Sequence, residues 1–241
     1  MKTIKAAFIS LSALIAMSSF AEPLPETSIK QKVEGNLHEG VGVESVIKTP
    51  YSGLYEVRTS NGEILYADKE AKYIFSGHIM NATTLEDYTK ARTDEINKIK
   101  FADLPFDSAI KMVKGDGKRV IAVFEDPNCG YCKHLRQTLS QMNNITVYTF
   151  MFNILAADSS VKSKNIWCSS DRLKAWDDWM LNGKAAPAAP ATCTSDPNEK
   201  IFALGRKMKI NGTPSIFFTD GSRIPGAVDE KTIEQKFASI K

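Results

Sequence analysis

The sequence predicts a chain of two unlike halves, a small α+β module followed by a connecting helix and an α/β domain. Three observations carry this reading. Two runs of β-forming residues, Leu54 to Ser60 and Glu63 to Ala67, flank Asn61-Gly62, a pair that suits a type I′ hairpin turn. From Lys118 onward, β-rich apolar runs alternate with helical stretches, the order that builds an α/β sandwich. At the first of those strand-to-helix junctions stands Asn128-Cys129-Gly130-Tyr131-Cys132-Lys133.

The chain opens with Lys2 and Lys5, the apolar stretch Ala6 to Met17 and the small-residue pattern Ser19-Phe20-Ala21, which read as an export signal over residues 1–21 cleaved after Ala21. That stretch is short of the ~20 residues a spanning helix needs, so the mature protein is expected to be soluble. A helix is expected around Ser28 to Asn36 and a short strand around Val41 to Ile47. The hairpin follows, and a third strand, Tyr73 to Ile79, completes a small antiparallel sheet. Residues 22–82 thus form a module with a thin core, because small domains bury proportionally less surface. Its open strand edges are best protected by pairing with a second copy across a two-fold axis. Thr83-Thr84-Leu85-Glu86 offers a helix start, and Leu85, Tyr88, Arg92, Ile96 and Ile99 keep helical spacing, so residues 83–100 are expected to form a linker helix.

Residues 101–241 make up the second domain. Lys118 to Phe124 reads as a buried central strand and Tyr131 to Met142 as the helix behind the cysteine pair. Further strands are expected at Thr146 to Phe152 and Ser215 to Thr219, with helices at Ser159 to Leu181 and Pro197 to Met208. Asp220-Gly221 turns the chain into an edge strand at Arg223-Ile224-Pro225, and Glu230 to Ile240 forms a terminal helix. The alanine- and proline-rich Lys184 to Ala191 is a loop ahead of Cys193.

Charge excludes one class of partner. The export signal holds two of the 31 basic residues and none of the 28 acidic ones, which leaves the mature chain near neutral, and no basic patch points to nucleic acid. Four cysteines in an exported chain can form disulfides, because compartments outside the cytoplasm are oxidising. A Cys-x-x-Cys at a helix start has a chemical use: the free N–H groups and the dipole there stabilise a thiolate on the first cysteine. Cys129 is therefore the expected nucleophile and Cys132, three positions on, the resolving thiol. Zinc would need two more ligands, and Cys168 and Cys193 lack a second close spacing while His134 points around the helix from Cys132. Covalent haem needs a histidine directly after the second cysteine, where Lys133 stands. A purely structural bridge so short constrains little in the unfolded chain. Haem is removed and zinc and a structural bridge are weakened, so redox chemistry that needs no cofactor or metal is the favoured reading.

Phe124 through Cys132 followed by a helix resembles the active-site turn of the thioredoxin fold, and Gly212-Thr213-Pro214 resembles its cis-proline loop. Cys-Gly-Tyr-Cys, Ile166-Trp167-Cys168, Ala175-Trp176-Asp177-Asp178, Ala203-Leu204-Gly205 and Gly212-Thr213-Pro214 occur in the order found in the DsbC/DsbG family of bacterial periplasmic thiol:disulfide interchange proteins. The likeness is strong in the second half and weak before residue 50, and the hairpin fits that family's dimerisation domain. The resemblance implies an α+β N-terminal dimerisation domain plus an α/β thioredoxin-like fold with a helical insertion. It further implies a V-shaped homodimer in the periplasm whose cleft binds misfolded, disulfide-containing proteins. Such a protein reshuffles wrong disulfides, carries chaperone activity, and is kept reduced by a membrane thiol reductant of the DsbD kind. Carried over residue by residue, Pro214 would be cis with Thr213 before it, Thr213, Pro214 and Tyr131 would meet substrate, and Cys168 with Cys193 would form a structural disulfide in the insertion.

One departure stands out. The buried acid that the thioredoxin fold carries on the strand before its active site falls here on Val123, while Glu125 and Asp126 lie nearer the cysteines. Glu125 is a candidate proton acceptor for Cys132, although alternation along the strand leaves a solvent-facing Glu125 equally open. Two rival functions share the architecture: a reductase of sulfenic acids or of few clients, as in the DsbG branch, and a holding chaperone with incidental thiols. Tyr131 after Gly130, rather than after proline, favours the isomerase side.

Overall fold

A computed structural model describes residues 25–240 in two units, one ending at Ser76 and one beginning at Gly77. The expected export signal lies outside the described residues. No helix among them is long and apolar enough to cross a membrane.

In the first unit, α1 (Pro25–Glu34) starts on a proline, the residue whose missing N–H costs nothing at a first helical position. It lies on an antiparallel sheet of order β1 (Val43–Lys48), β2 (Tyr55–Thr59), β3 (Ile64–Ala67) and β4 (Ile74–Ser76). Ile29 and Val33, one helical turn apart, pack with Val43, Tyr55, Val57, Leu65 and Ala67 from the inner face. The hairpin is present, but its turn is not type I′. That type needs positive φ at both central residues, and here only Gly62 has it, at 89°. Gly62 N–H bonds Thr59 O, while Glu63 N–H is drawn to Thr59 Oγ1 and, more weakly, Asn61 Oδ1, so side chains stabilise a three-residue loop instead. The last strand is shorter than expected and outermost, with Ile74 44% and Phe75 49% exposed.

The second unit begins with a correction to the linker helix. α2 spans only Tyr88–Ile96, capped by Asp87, whose side chain accepts from Lys90 N–H. Residues 83 and 84 are held outside it because their N–H groups bond Asn81 Oδ1, and Leu85 is left-handed at φ 59°. Its far end is cut off because Ile99 N–H bonds Gly221 O, where a Cβ would sit 2.1 Å from Ile99 O.

The main sheet comprises β5 (Ile110–Lys114), β6 (Arg119–Glu125), β7 (Ile145–Met151), β8 (Ser215–Phe218) and β9 (Arg223–Pro225) in the order β5-β7-β6-β8-β9. Strand β6 is central, parallel to β7 through the crossover helix α3 (Gly130–Gln141) and antiparallel to β8. On one face Ile121 and Val123 meet Leu135, Leu139 and Met142, with Ile233 of the terminal helix. On the other, Ala122 and Phe124 meet Phe150, Phe152, Ile201 and Phe217. Strand β5 was not anticipated, since its alternation of buried and exposed residues is only five long. The long helix expected over 159–181 is two, α4 (Ser159–Trp167) and α5 (Arg172–Asn182). The break has a local cause: Asp171 caps α5 by accepting from Lys174 N–H. Helices α6 (Asn198–Lys207) and α7 (Glu230–Ser239) complete the unit.

Candidate active site

Strand β6 carries the chain to Glu125, a loop of Asp126, Pro127 and Asn128 follows, and α3 starts at Gly130 with Cys129 as its cap. Cys129 Sγ accepts a hydrogen bond from Cys132 N–H at 3.1 Å, the geometry expected where a helix N-terminus favours negative charge on sulfur. Both cysteines are unbridged and buried. Burial pushes the Cys132 thiol well above its usual range, and the charge of Glu125 and the hydrogen bond with Cys129 add to the shift. Burial thus favours the protonated form of Cys132.

The second wall comes from the far end of the chain. The Thr213–Pro214 peptide is cis and leads directly into β8, the neighbour of β6. This brings Thr213 O within 3.3 Å of Cys129 Sγ, which donates to it. Gly212 beside it has open space around it, whereas Thr213 Oγ1 is buried with no partner among the described residues. Tyr131 projects from the first turn of α3, 72% exposed. Cys129, Cys132, Thr213 and Pro214 thus meet in one place, with Tyr131 at its rim.

Cys168 and Cys193 lie elsewhere in the unit, joined by a disulfide that ties the end of α4 to the segment just past the alanine- and proline-rich loop, 25 residues on. Their contribution to the site is indirect. Ile166 of α4 and Trp176 and Met180 of α5 pack around Cys129 and Cys132. The same helices clamp the loop ahead of the cysteines: Trp179 Nε1 donates to Pro127 O at 2.6 Å, Lys162 Nζ donates to Asn128 Oδ1 at 2.6 Å, and Asn128 Nδ2 donates to Ser159 Oγ. Lys133 and Lys162 each place an ammonium 4.8 Å from the centre of the Trp179 ring.

Two adjacent acids differ sharply. Asp126 is buried but saturated, accepting from Asn128 N–H and Ser159 Oγ on one oxygen and from the N–H groups of Ile154 and Leu155 on the other. It is a structural anchor for the active-site loop. Glu125 is fully buried too, so the open question of its direction resolves inward. Thr149 Oγ1 donates to its Oε2 at 3.3 Å, and its Oε1 has no partner among the described residues. Burial pushes its carboxyl up to about 7 against the opposing pull of Arg136. Sequence reasoning did not single out Arg136, which is buried on α3 with Nε donating to Asp177 Oδ1 at 2.6 Å. Its place was readable, since Cys132, Leu135, Arg136 and Leu139 follow the spacing of one helical face. Asn128, Lys162 and Trp179 carried no comparable signal.

Residues 106–241 match the family profile described as a thioredoxin-like domain, and residues 19–90 match that of the disulfide bond isomerase protein N-terminal domain. The probable thiol:disulfide interchange protein DsbC of Bordetella parapertussis is 44% identical over 214 residues, covering 89% of this chain and 75% of that protein. The thiol:disulfide interchange protein DsbC of Escherichia coli is 30% identical over 237 residues, 96% of this chain and 94% of that protein. Among solved structures, a disulfide interchange protein from Neisseria gonorrhoeae matches with a TM-score of 0.52 and 36% identity, over 56% of this chain and 96% of that one.

Proposed function

The chain belongs to the DsbC family of thiol:disulfide interchange proteins, which are thiol-disulfide oxidoreductases, and from that premise we propose that it is a periplasmic protein disulfide isomerase. The observation that supports this most directly is Cys129 Sγ held between the N-terminus of α3 and the carbonyl of Thr213. The Cys129 thiolate attacks a wrong disulfide and forms a mixed disulfide, releasing one substrate thiolate. When that thiolate attacks a different disulfide and the chain returns to Cys129, the substrate has been rearranged with no net transfer of electrons. When Cys132 attacks first, the substrate leaves reduced and the enzyme is left oxidised, so a membrane thiol reductant must restore it. Thr213, Pro214 and Tyr131 form the surface against which the substrate chain lies, and the Cys168–Cys193 bridge is structural.

Isomerisation also needs a surface that retains non-native chains, and a second copy supplies it. The outermost strand β4 turns Ile74 and Phe75 to solvent. An exposed apolar edge of this kind is a template for strand pairing. Pairing of two such edges gives a homodimer with two Cys129 sites and the chaperone activity that goes with a shared binding surface.

The test is to incubate the reduced mature protein with scrambled ribonuclease in a redox buffer. Ribonuclease activity is expected to return, and to stay lost with Cys129→Ala. If it stays lost with the unaltered protein while that protein reduces single-cysteine sulfenates, the protein is a reductase and not an isomerase.

A further inference from the structure

Strand β6 alternates, so Ile121, Val123 and Glu125 share the face beneath α3. Ile121 and Val123 fill the apolar part of that interface with Leu135, Leu139 and Met142. Glu125 lies one pleat further along the same face, and its charge acts on the Cys132 thiol. The titratable and charged groups acting on this carboxyl are Cys132 and Arg136 from α3 and Asp177 from α5, while β7 contributes the neutral hydroxyl of Thr149.

A buried carboxyl kept for structure is hydrogen-bonded, as Asp126 is with its four donors, because an unsatisfied buried oxygen is costly. Glu125 has one long bond and a bare Oε1, on the face of β6 that lies beneath the helix of the resolving thiol. Arg136 is similar, buried with Nε on Asp177 and with no partner for Nη1 among the described residues. An arginine cannot give up its proton. Its fixed positive charge therefore favours the ionised carboxylate against burial.

We propose that Glu125 is the proton acceptor of Cys132, and that the fixed positive charge of buried Arg136, itself held by Asp177, favours the carboxylate form that this task needs. The proposal rests on the reading of Cys132 as the resolving thiol. In the mixed disulfide, Cys129 Sγ is bonded to the substrate sulfur. The Cys132 proton passes to the Glu125 carboxylate, and the freed thiolate attacks Cys129 Sγ. A Cys129–Cys132 bond forms, the bond to the substrate breaks, and its electron pair leaves with the substrate sulfur, which solvent protonates. The substrate sulfur is reduced, the two enzyme thiols are oxidised to one disulfide, and Glu125 holds the proton until solvent removes it.

The experiment is stopped-flow reaction of the full, reduced protein with 5,5′-dithiobis(2-nitrobenzoate). A first release of thionitrobenzoate reports attack by Cys129, and a second reports resolution by Cys132. Glu125→Gln is expected to leave the first phase within about twofold and slow the second at least tenfold at pH 7, within the range of general-base effects. The unaltered protein's second phase should rise with pH through an inflection near neutrality that Glu125→Gln removes. Arg136→Met should move that inflection to higher pH. A second phase unchanged by Glu125→Gln, or both phases slowed equally, overturns the proposal. So does an inflection that survives Glu125→Gln. Absence of the first phase from the unaltered protein would instead refute the exchange reading itself, and this proposal with it.

Discussion

Replacing Glu125 by Gln in a Cys129→Ala background removes one buried titrating group with little change of volume, and its consequence for stability depends on pH. The Glu125 carboxyl has an ordinary value of 4.5 and is pushed up to about 7 by burial in the folded protein. Between those values the folded chain keeps a proton that the unfolded chain has lost, so folding weakens as pH rises through the interval. At about 1.4 kcal/mol for each pH unit, the accumulated loss is ~3 kcal/mol. Gln suffers no such loss. The unfolding free energy of the variant relative to its parent should therefore be flat below about pH 4.5, climb between 4.5 and 7, and level off ~3 kcal/mol higher by pH 8. Staying below pH 8 keeps the Cys132 thiol, raised by burial, out of the titration. Urea unfolding followed by tryptophan fluorescence is the suitable assay, because Trp167, Trp176 and Trp179 all lie in the unit that contains Glu125. Parallel stability curves for the two proteins across pH 4 to 8 would refute the buried, proton-holding state of Glu125.

Removing the Cys168–Cys193 bridge with a double alanine substitution should cost roughly 3 kcal/mol in the same fluorescence transition, as expected from the entropy of a loop closed across 25 residues. A midpoint that does not move would show that the bridge constrains nothing. Ile74→Asp combined with Phe75→Asp should turn a sedimenting dimer into a monomer while leaving the far-ultraviolet circular dichroism of the chain in place. A dimer that survives would put the contact between copies elsewhere than on β4.

Much of this architecture is legible from local patterns. The strand before the cysteines, the helix behind them and the edge strand at Arg223–Pro225 announce themselves through apolar runs and turn residues. Where the structure departs from those patterns, short polar side chains redirect the backbone. Asn61-Gly62 suggests type I′, but Thr59 and Asn61 offer Glu63 N–H their own oxygens and reshape the loop. Asn81 does the same to the start of α2, and Ser169-Ser170-Asp171 contains a cap that divides one apparent helix into two. The direction of Glu125 turned on whether β6 ends at residue 124 or 125, since one more residue of strand puts it on the face of Val123. Only the turn-like bond from Asn128 N–H among the anchors of Asp126 is local. Its other three donors, at residues 154, 155 and 159, come from a segment some thirty positions away, brought back only by the tertiary fold.

The disulfide in the insertion bears on how the protein matures. Helices α4 and α5 grip the loop before Cys129 through Lys162, Ser159 and Trp179, and the Cys168–Cys193 bridge fastens the end of α4. A newly made chain whose Cys168 and Cys193 are still thiols must build that grip with one constraint fewer. The readiness of the exchange site is in this way linked to the protein's own oxidation, so that an enzyme of thiol-disulfide exchange is itself finished by a disulfide.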